Sequence, residues 1–541
     1  MSDAGSTDVE VLIVGGGPVG LAAAIELGHR GITCLLVERN DRVGYSPRAK
    51  TTNVRSREHM RRWGIADQLR RASPMPSDYP TDVVFATRMN GHLLGRFPLA
   101  LNGSTRRNNL YSEEMQWVPQ YVVEDVLRKH ASSLDGVELR FGTEYISFSQ
   151  DESHVKTTLR DVQSGQTSCV RSAFLIGADG ARSSIRSDIG ATMIGEDAFS
   201  RNFTIIFRAP DLASRHSFGK AVMYWMINED LPSVVGPMEN NGLWYLIATR
   251  LPDDTEPSRA DAAGLVRQAT GLEDLALEIV ATDLWLARRL VADKQFDRRV
   301  FLAGDACHLH PPFGGFGMNM GIGDAVDIGW KIAATLQGWG GKNLLATYEF
   351  ERKRVHERTV AEAARNYAMV GNQLVRSHLE DTGLLGEATR EEVSDIIAVT
   401  KIREFRTLGL VLGYHYAGSP IVIPDGSEPP PDDAMVYIPS AHPGCLAPHL
   451  WLSDGSSLYD HFGQGFTLLV TRGDAADAAP LMVAAEELGI PVKLICPNDA
   501  RLFGRYQAGL ILIRPDQHVA WRGNTFPSDV RQLLAQVTGA H

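Results

Sequence analysis

Sixteen residues, GDACHLHPPFGGFGMN at 304–319, combine an acid and two histidines with two prolines and four glycines. Asp305, His308 and His310 are candidate metal ligands, because carboxylate and imidazole groups commonly bind metals in proteins. No third histidine or carboxylate follows at the spacing of a familiar metal site. We therefore predict no metal and assign both histidines a structural role in the loop.

A second set of glycines, GGGPVG at 15–20, supplies the pattern GxGxxG. It follows an apolar, strand-like segment and opens a helical pattern, and a second apolar run at 33–37 completes a strand–helix–strand unit. In this context the glycines permit a tight turn, close approach of the backbone to a pyrophosphate and close helix–strand packing. An acid at the end of the second strand can accept hydrogen bonds from ribose hydroxyls. The predicted dinucleotide contacts, which fit either FAD or a nicotinamide dinucleotide, are Gly15, Gly17, Pro18, Gly20, Glu38 and Arg39.

The elements that must position these motifs indicate an α/β chain of several domains. A length of 541 residues favours three or four domains. The turn-separated β-rich segments after residue 193 are typical of a mostly antiparallel layer, whereas PDGSEPPPDD at 424–433 is typical of an extended linker. We predict a Rossmann-like first part at 1–192 with some substrate-layer segments near 75–115, a β-rich substrate layer at 193–290, a helical region at 291–423, a linker at 424–434 and an α/β module at 435–541.

Composition excludes several classes of function. A net charge of −11 argues against binding to a nucleic-acid backbone, which requires clustered Lys and Arg. No apolar run approaches the roughly 20 residues that a transmembrane helix needs, and the acidic start MSDAGSTDVE is unlike a signal peptide. Five scattered cysteines without a CxxC pair fit reduced thiols. We expect a cytoplasmic protein with a small-molecule ligand.

Two further segments extend the dinucleotide fingerprint into a family pattern. FLIGADGARSSIR at 174–186 is a strand followed by Asp-Gly, and RVFLAGDACHLHPPFGGFGMNMGIGDAVDIGWKIA at 299–334 is a strand, Gly-Asp, a loop and a long helix. With GxGxxG, these segments resemble the class A flavoprotein monooxygenases, the family of p-hydroxybenzoate hydroxylase and phenol hydroxylase, over residues 8–370. The resemblance implies a permanently bound FAD and transient NADH or NADPH. It also implies an O2-derived flavin C4a-hydroperoxide that hydroxylates a phenolic or related aromatic substrate.

The resemblance also implies residues for the cofactor site. Asp305 would accept hydrogen bonds from the flavin ribityl hydroxyls, and the first amides of the following helix would face the negatively charged edge of reduced flavin. Pro312 would lie beside the flavin C4a. The complete implied set is Arg48, Gln120, Asp179, Arg182, Asp305, Pro312, Gly315, Phe316, Gly317, Met318 and Asn319. Two residues differ from those that are frequent in the family. Phe316 stands where glutamine is frequent, and Asp327 stands where asparagine is common.

Lys50 is the predicted catalytic residue besides Pro312. It lies two residues after Arg48, where phenol hydroxylases carry an active-site aspartate and other relatives often a histidine. A desolvated ammonium there could stabilise a phenolate, although a surface lysine is an equally good interpretation. The predicted substrate contacts, for which plain core packing is the alternative, are Tyr224, Trp225, Trp244 and Tyr245.

The last hundred residues, from about 435, resemble the thioredoxin-like extension of phenol hydroxylase relatives. Because they carry no CxxC, thiol redox chemistry is disfavoured, and we expect a structural module in a homodimer. Two other functions stay open. One is Baeyer–Villiger insertion or epoxidation on a polyketide-like substrate, and the other is non-catalytic FAD binding.

Overall fold

The computed structural model describes residues 6–41, 49–103, 107–252 and 256–541. Its strands are β1 Ser6–Val14, β2 Cys34–Glu38, β3 Thr51–Thr52, β4 Val83–Ala86, β5 Leu93–Phe97, β6 Gln116–Trp117, β7 Val137–Phe141, β8 Thr143–Gln150, β9 Val155–Asp161, β10 Thr167–Gly177, β11 Met193–Arg208, β12 Met223–Met226, β13 Ser233–Pro237, β14 Leu243–Leu251, β15 Glu278–Ala292, β16 Phe296–Asp297, β17 Val300–Leu302, β18 His308–Leu309, β19 Phe466–Val470, β20 Val492–Ile495, β21 Leu510–Ile513 and β22 Val519–Gly523.

The helices are α1 Pro18–Gly28, α2 Val54–Arg62, α3 Ala66–Ala72, α4 Gln120–Ala131, α5 Ser184–Asp188, α6 Ala262–Thr270, α7 Gly317–Leu336, α8 Thr347–Ala368, α9 Leu384–Thr400, α10 Ile402–Phe405, α11 Leu408–Leu412, α12 Ala479–Glu487, α13 Arg501–Tyr506 and α14 Val530–Val537. Within the described ranges, none of them is both long and apolar enough to cross a bilayer.

The first sheet brings three motif-bearing strand ends to one edge. Its main strand order is β16-β17-β10-β1-β2-β7, and β1 pairs in parallel with both β10 and β2, as β17 does with β10. Strands of this kind are covered on both faces, so their sequences are continuously apolar. Here α1, α4 and α7 cover one face of the sheet. The carboxyl ends of parallel strands lie at the same edge of the sheet, so the segments after Val14, Gly177 and Leu302 are neighbours. The predicted α/β fold with a Rossmann-like dinucleotide-binding part is confirmed.

The second sheet is the predicted β-rich layer and lies over the loop after β18. Its order is β18-β15-β11-β14-β13-β12-β4-β5, with every pairing antiparallel except β12 with β4. β4 and β5 come from the stretch near 75–115. One face of the sheet packs on Phe313 and on α9 to α11, and the other face packs on α6. Alternating side chains on one strand therefore reach two different environments.

The C-terminal residues form a separate four-stranded sheet of order β20-β19-β21-β22. β19 is parallel to β20 and antiparallel to β21, with α12 and α14 in the core on one face and α13 in the core on the other. Residues 424–433, all of them described, contain neither helix nor strand. The α/β character agrees with the prediction, while the thioredoxin-like comparison and the domain limits stay predictions.

A buried charge cluster joins this C-terminal sheet to α7 and α8. The Arg514 guanidinium donates to both Glu351 carboxylate oxygens at 2.6 and 2.8 Å, and the Lys331 ammonium donates to Glu351 and to Asp327 at 2.7 Å each. Arg514 also donates to Asp516 at 2.6 Å. Three acids thus share two cations. Asp327, the departure from asparagine noted in the sequence, is the acid whose pKa rises, to about 7, chiefly because of burial.

We expect Asp327→Asn to change how stability depends on pH. A carboxyl with a raised folded pKa contributes stability that is fully present below its ordinary pKa of about 3.9 and is lost as pH rises through 7. The amide stays neutral, so the stability advantage of the variant over the wild type should grow by about 3 kcal/mol between pH 5 and pH 8. Urea unfolding across this pH range measures the difference. An equal difference at pH 5 and pH 8 would exclude titration of Asp327 as its cause.

Candidate functional site

The first glycine turn leaves an open concavity lined by backbone amides. A Cβ on Gly15 would lie 2.2 Å from the Ala178 carbonyl oxygen, and one on Gly20 would lie 1.9 Å from the Gly15 oxygen, so neither position admits a side chain. A Cβ on Gly17, however, would meet no atom within 4 Å. α1 begins directly afterwards at Pro18 with no side-chain cap and no acid in its first turn. This end of α1 has room and positive polarity for an anionic group.

Glu38 borders the same concavity from the end of β2. Its carboxylate accepts the Gly16 amide at 2.8 Å and both the amide and the side chain of Asn40, at 2.9 and 2.6 Å. These contacts fix the carboxylate beside the glycine turn while leaving it partly exposed. Arg39 is exposed. Arg48 lies outside the described residues.

Gln120 anchors the chain that leads to Lys50. Its side-chain oxygen accepts the Ala49 main-chain amide at 3.1 Å, and its main-chain amide donates to the Ala49 carbonyl at 3.0 Å. The next residues pair across β3 and β6, where Val118 donates to the Lys50 carbonyl at 2.8 Å. Gln120 therefore positions the segment from Ala49 to Thr52.

The Asp-Gly motif after β10 caps α5. One Asp179 oxygen accepts the amides of Ser184 and Ile185 at 2.9 and 3.2 Å, and the other is buried without a partner among the described residues. Burial raises the pKa of Asp179. Arg182 is exposed. Arg186, which was not selected from the sequence, donates to the Ala181 and Ala306 carbonyls at 3.0 Å each. It therefore connects the Asp-Gly motif to the Gly-Asp turn.

Asp305 follows β17 in a short 3-10 turn and stays half-buried. No described group donates a hydrogen bond to its carboxylate, which is free to accept one from a ligand. A Cβ on Gly304 would lie 2.8 Å from Val19, and one on Gly321 of α7 would lie 2.5 Å from the same side chain. The Gly-Asp turn, the first turn of α1 and the first turns of α7 are thus in direct contact.

Behind this turn, Asp324 of α7 is the acceptor for a buried set of donors. One oxygen accepts Arg352 Nε and His356 Nε2 at 2.7 Å each, and the other accepts His308 Nε2 at 3.0 Å and the Gly304 amide at 3.1 Å. Burial alone would raise the Asp324 pKa, but His356 and Arg352 outweigh it and hold the pKa well below its usual range.

These residues resemble a metal-binding set without having the chemistry of one. The potential ligand atoms of Cys307, His308, Asp324 and His356 lie within 4.8 Å of one another. The Asp324 carboxylate is already occupied by hydrogen-bond donors, and the adjoining Arg352 cation would repel a divalent ion. The structural role of His308 stays a prediction. His310 Nδ1 donates to the Pro311 carbonyl at 2.7 Å, and the His310 pKa falls to about 4 because of burial.

The loop from Pro312 to Asn319 is clamped to β3. Asn319 Nδ2 donates to the Thr51 and Gly315 carbonyls at 2.9 and 2.6 Å, and its Oδ1 accepts the Asn53 amide at 2.9 Å. A Cβ on Gly315, whose φ is +69°, would lie 2.9 Å from Thr51. The loop therefore packs closely on β3, and α7 starts at Gly317 with no side-chain cap.

The side chains on this loop have different surroundings. Pro312 is exposed, Gly315, Gly317 and Met318 are partly buried, and Phe313 contacts Trp225 at a ring separation of 5.5 Å. The Phe316 ring packs against Ala363, Leu410 and Ala434. Only the Phe316 main chain is therefore left for contact with a bound ring.

The four predicted substrate aromatics divide between the two faces of the second sheet. Trp225 and Tyr245 lie on the Phe313 face, and Tyr224 and Trp244 lie on the α6 face. For Tyr224 and Trp244 the prediction is corrected, since alternation along β12 and β14 turns them away from the loop. The Lys50 ammonium lies 4.0 Å above the centre of the Tyr245 ring. Lys50, Tyr245, Trp225 and Phe313 thus share one side of the loop.

Comparisons with known proteins agree with this arrangement. A family profile described as "FAD binding domain" matches residues 8–363, and one described as "Aromatic-ring hydroxylase, C-terminal" matches residues 440–540. A 4-methyl-5-nitrocatechol 5-monooxygenase of Burkholderia sp is 33% identical over 98% of this chain and 97% of its own length. Phenol 2-monooxygenase of Pseudomonas sp. (strain EST1001) is 30% identical over 98% of this chain and 92% of its own length.

Solved structures of flavin enzymes also match this chain over nearly its whole length. The rebeccamycin biosynthetic enzyme RebC with reduced flavin superposes with a TM-score of 0.91 at 34% identity, covering 99% of this chain and 100% of that one. Aklavinone-11 hydroxylase with FAD and aklavinone superposes with a TM-score of 0.83 at 28% identity, covering 98% and 99%.

Proposed function

Since the chain belongs to the class A flavoprotein aromatic hydroxylases and is an FAD-dependent monooxygenase, we propose that it hydroxylates a phenolic compound at the loop from Pro312 to Asn319. One observation carries the proposal. The glycine turn, Asp-Gly and Gly-Asp meet at one edge of the first sheet, which is where parallel α/β sheets bind their ligands. Ring hydroxylation is preferred to Baeyer–Villiger insertion or epoxidation, which the comparisons do not favour.

The donors and acceptors at this edge fit FAD. The space beside Gly17 and the uncapped start of α1 suit the pyrophosphate, and Glu38 suits the adenosine ribose. The Asp305 carboxylate, which accepts no hydrogen bond from the described residues, suits the ribityl hydroxyls, and the uncapped start of α7 suits a negatively charged ring edge. Gln120 and Asp179 would act mainly by holding neighbouring backbone. The proposed cofactor-contacting set is Gly15, Gly17, Pro18, Gly20, Glu38, Arg39, Arg48, Asp305, Pro312, Gly315, Gly317, Met318 and Asn319.

Bound FAD would take a hydride from NADH or NADPH and activate O2 for transfer of one oxygen atom to an electron-rich ring carbon. The protein orients the two reactants and excludes water. Asn319 keeps the loop and β3 in fixed contact, and the buried aromatic rings of Phe313, Trp225 and Trp117 supply a dry, flat surface for an aromatic substrate. Pro312 is exposed beside Phe313 in the same loop, and Lys50 would supply a cation on the Tyr245 face of the sheet.

Isotope labelling tests this function directly. The FAD-containing protein, supplied with NADH or NADPH and a panel of phenols under ¹⁸O2, is expected to consume nicotinamide faster in the presence of a substrate. The product should be a ring-hydroxylated phenol with one labelled oxygen. If FAD is bound and reduced but every phenol gives only hydrogen peroxide, the proposed function is wrong. The same assay determines the preference between NADH and NADPH.

The proposal includes assembly and location. We infer a cytoplasmic homodimer in which the thioredoxin-like C-terminal module is structural. The absence of CxxC in the sequence supports a structural role. Light scattering of the FAD-containing protein measures the mass directly, and a single 59.3 kDa species at all concentrations would contradict the dimer.

A further inference from the structure

Residues 107–115, here called the strap, extend from the surface of the C-terminal module to β6 and contain neither helix nor strand. Most of the strap is at least partly buried, yet none of its backbone groups pairs with another backbone group among the described residues. Buried backbone groups must find hydrogen-bond partners, so side chains determine the conformation of the strap. At its far end the chain enters β6, which pairs with β3 beside the loop from Pro312 to Asn319.

The first part of the strap is held by side chains of the C-terminal module. The Trp451 indole N–H donates to the Asn108 carbonyl at 2.7 Å, and the Arg505 guanidinium donates to the Asn109 carbonyl at 2.8 Å. The Arg107 guanidinium lies 3.5 Å from the centre of the Trp451 ring. Two hydrogen bonds to consecutive carbonyls and a cation stacked on the indole therefore fix the backbone at this end of the strap.

Helix α2 holds the next part of the strap and is itself fastened to the module. The Glu58 carboxylate accepts the main-chain amide and the hydroxyl of Ser112 at 2.9 and 3.2 Å, and Arg61 donates to Glu113 at 3.0 Å. Arg61 also donates to both carboxylate oxygens of Asp460 in the module, at 2.7 Å each. The module therefore holds the strap both directly and through α2.

The buried side chains of the strap face the proposed site of hydroxylation. Tyr111 and Met115 belong to the same apolar cluster as Phe313 and Trp225, which form part of the flat surface proposed for the substrate. A strap that moved away would open this cluster to water and leave an aromatic ring less firmly oriented. The shape of the cluster beside the loop therefore depends on the contacts of the strap with the module.

We propose that the C-terminal module, through Trp451 and Arg505, positions the strap and so keeps the substrate site closed to water during oxygen transfer. This inference rests on the proposed function and gives the module, which has no CxxC pair, a part in that reaction. With the strap in place, the two electrons of one NADH or NADPH yield a hydroxylated ring and one water from O2. With the strap loose, the same two electrons and two protons convert O2 to hydrogen peroxide. Trp451 and Arg505 act through the strap and are therefore positioning residues.

Trp451→Ala in the FAD-containing protein tests the attachment and its consequence separately. Hydrogen–deuterium exchange of the oxidised protein should become about 10-fold faster at the strap amides and stay unchanged in β1. With the phenol that the wild type hydroxylates best, nicotinamide oxidation should stay within about 2-fold, while the fraction of it that yields hydrogen peroxide rises about 5-fold. Trp451→Phe, which keeps a ring for Arg107 but loses the N–H, should fall between the two proteins in both measurements.

Phe526→Ala is the matched control within the same module. Phe526 is also a partly buried aromatic residue, stacked on Trp521 at 5.5 Å, but it packs on the side of the sheet that α12 and α14 cover. Its loss should lower the stability of the module without changing strap exchange or the hydrogen peroxide fraction. If Trp451→Ala does not fold, Arg107→Met replaces it, because Arg107 is exposed and its loss removes the stacked cation. It should change both measurements in the same direction.

Three results would overturn the inference. The first is unchanged strap exchange in folded Trp451→Ala, the second is faster exchange with an unchanged hydrogen peroxide fraction, and the third is an equal rise of that fraction in Phe526→Ala. Failure of the proposed function is distinct, because the wild type itself would then form no hydroxylated phenol under ¹⁸O2. Failure of the inference alone leaves a hydroxylating wild type and a Trp451→Ala variant that hydroxylates equally well.

Discussion

Gly17→Ala is expected to weaken FAD binding about 100-fold while the chain keeps its fold, a loss equivalent to about 2.8 kcal/mol. The added methyl group would meet no protein atom, and the Gly17 φ of −75° is one that alanine adopts freely. It would instead occupy the space through which a pyrophosphate must approach the first amides of α1. Those charge-assisted hydrogen bonds depend on close contact and are lost together. Titration of the FAD-free protein with FAD, followed by quenching of flavin fluorescence, measures the change.

Two other glycines separate this effect from general damage. Gly264→Ala on α6 also adds a methyl group that meets nothing, and it should leave FAD affinity unchanged. Gly20→Ala should instead lower the yield of folded protein, because its Cβ would overlap the Gly15 oxygen. Wild-type FAD affinity in folded Gly17→Ala would mean that the pyrophosphate binds elsewhere.

The contact between the three motifs could be predicted because parallel strands fix which residues become neighbours. Apolar runs and glycine patterns identify β1, β10 and β17, and a parallel sheet then brings Gly15, Asp179 and Asp305 to one edge without further information. Val19 of α1 can contact α7 because Gly304 and Gly321 have no side chain to block it, and both glycines are visible in the sequence. Local sequence patterns were sufficient to predict these contacts, because the rules for pairing parallel strands hold for α/β sheets in general.

The direction of individual side chains could not be obtained in the same way. Tyr224 and Trp244 satisfy the same strand pattern as Trp225 and Tyr245, and only the register of β12 against β4 and β13 determines which pair faces the loop. Phe316 turns into a core made by α8 and α11, which are distant in sequence. Asp324 is indistinguishable in sequence from any polar residue on an amphipathic helix. Its role depends on donors from β18 and α8.

Arg514→Met is expected to destabilise the protein by about 3 to 5 kcal/mol, the usual cost of removing one partner from a buried ion pair. The variant would leave Glu351 and Asp327 with Lys331 as their shared cation, and would remove from Asp516 the guanidinium that it pairs with. Arg514 lies on the C-terminal module whereas Glu351 and Asp327 lie on α8 and α7, so the loss falls on the contact between them. Urea unfolding followed by hydrogen exchange should show the C-terminal strands opening at lower urea than the first sheet.

Arg531→Met is the control for this change, because Arg531 pairs with Glu487 in the same module but at its exposed surface. Exposed pairs contribute little, so this variant should lie within about 0.5 kcal/mol of the wild type. If Arg514→Met costs no more than Arg531→Met, the buried cluster does not fasten the module. If it costs the expected amount and also weakens FAD binding, the C-terminal module stabilises the helix whose first turn meets the cofactor, because Asp327 and Asn319 both belong to α7.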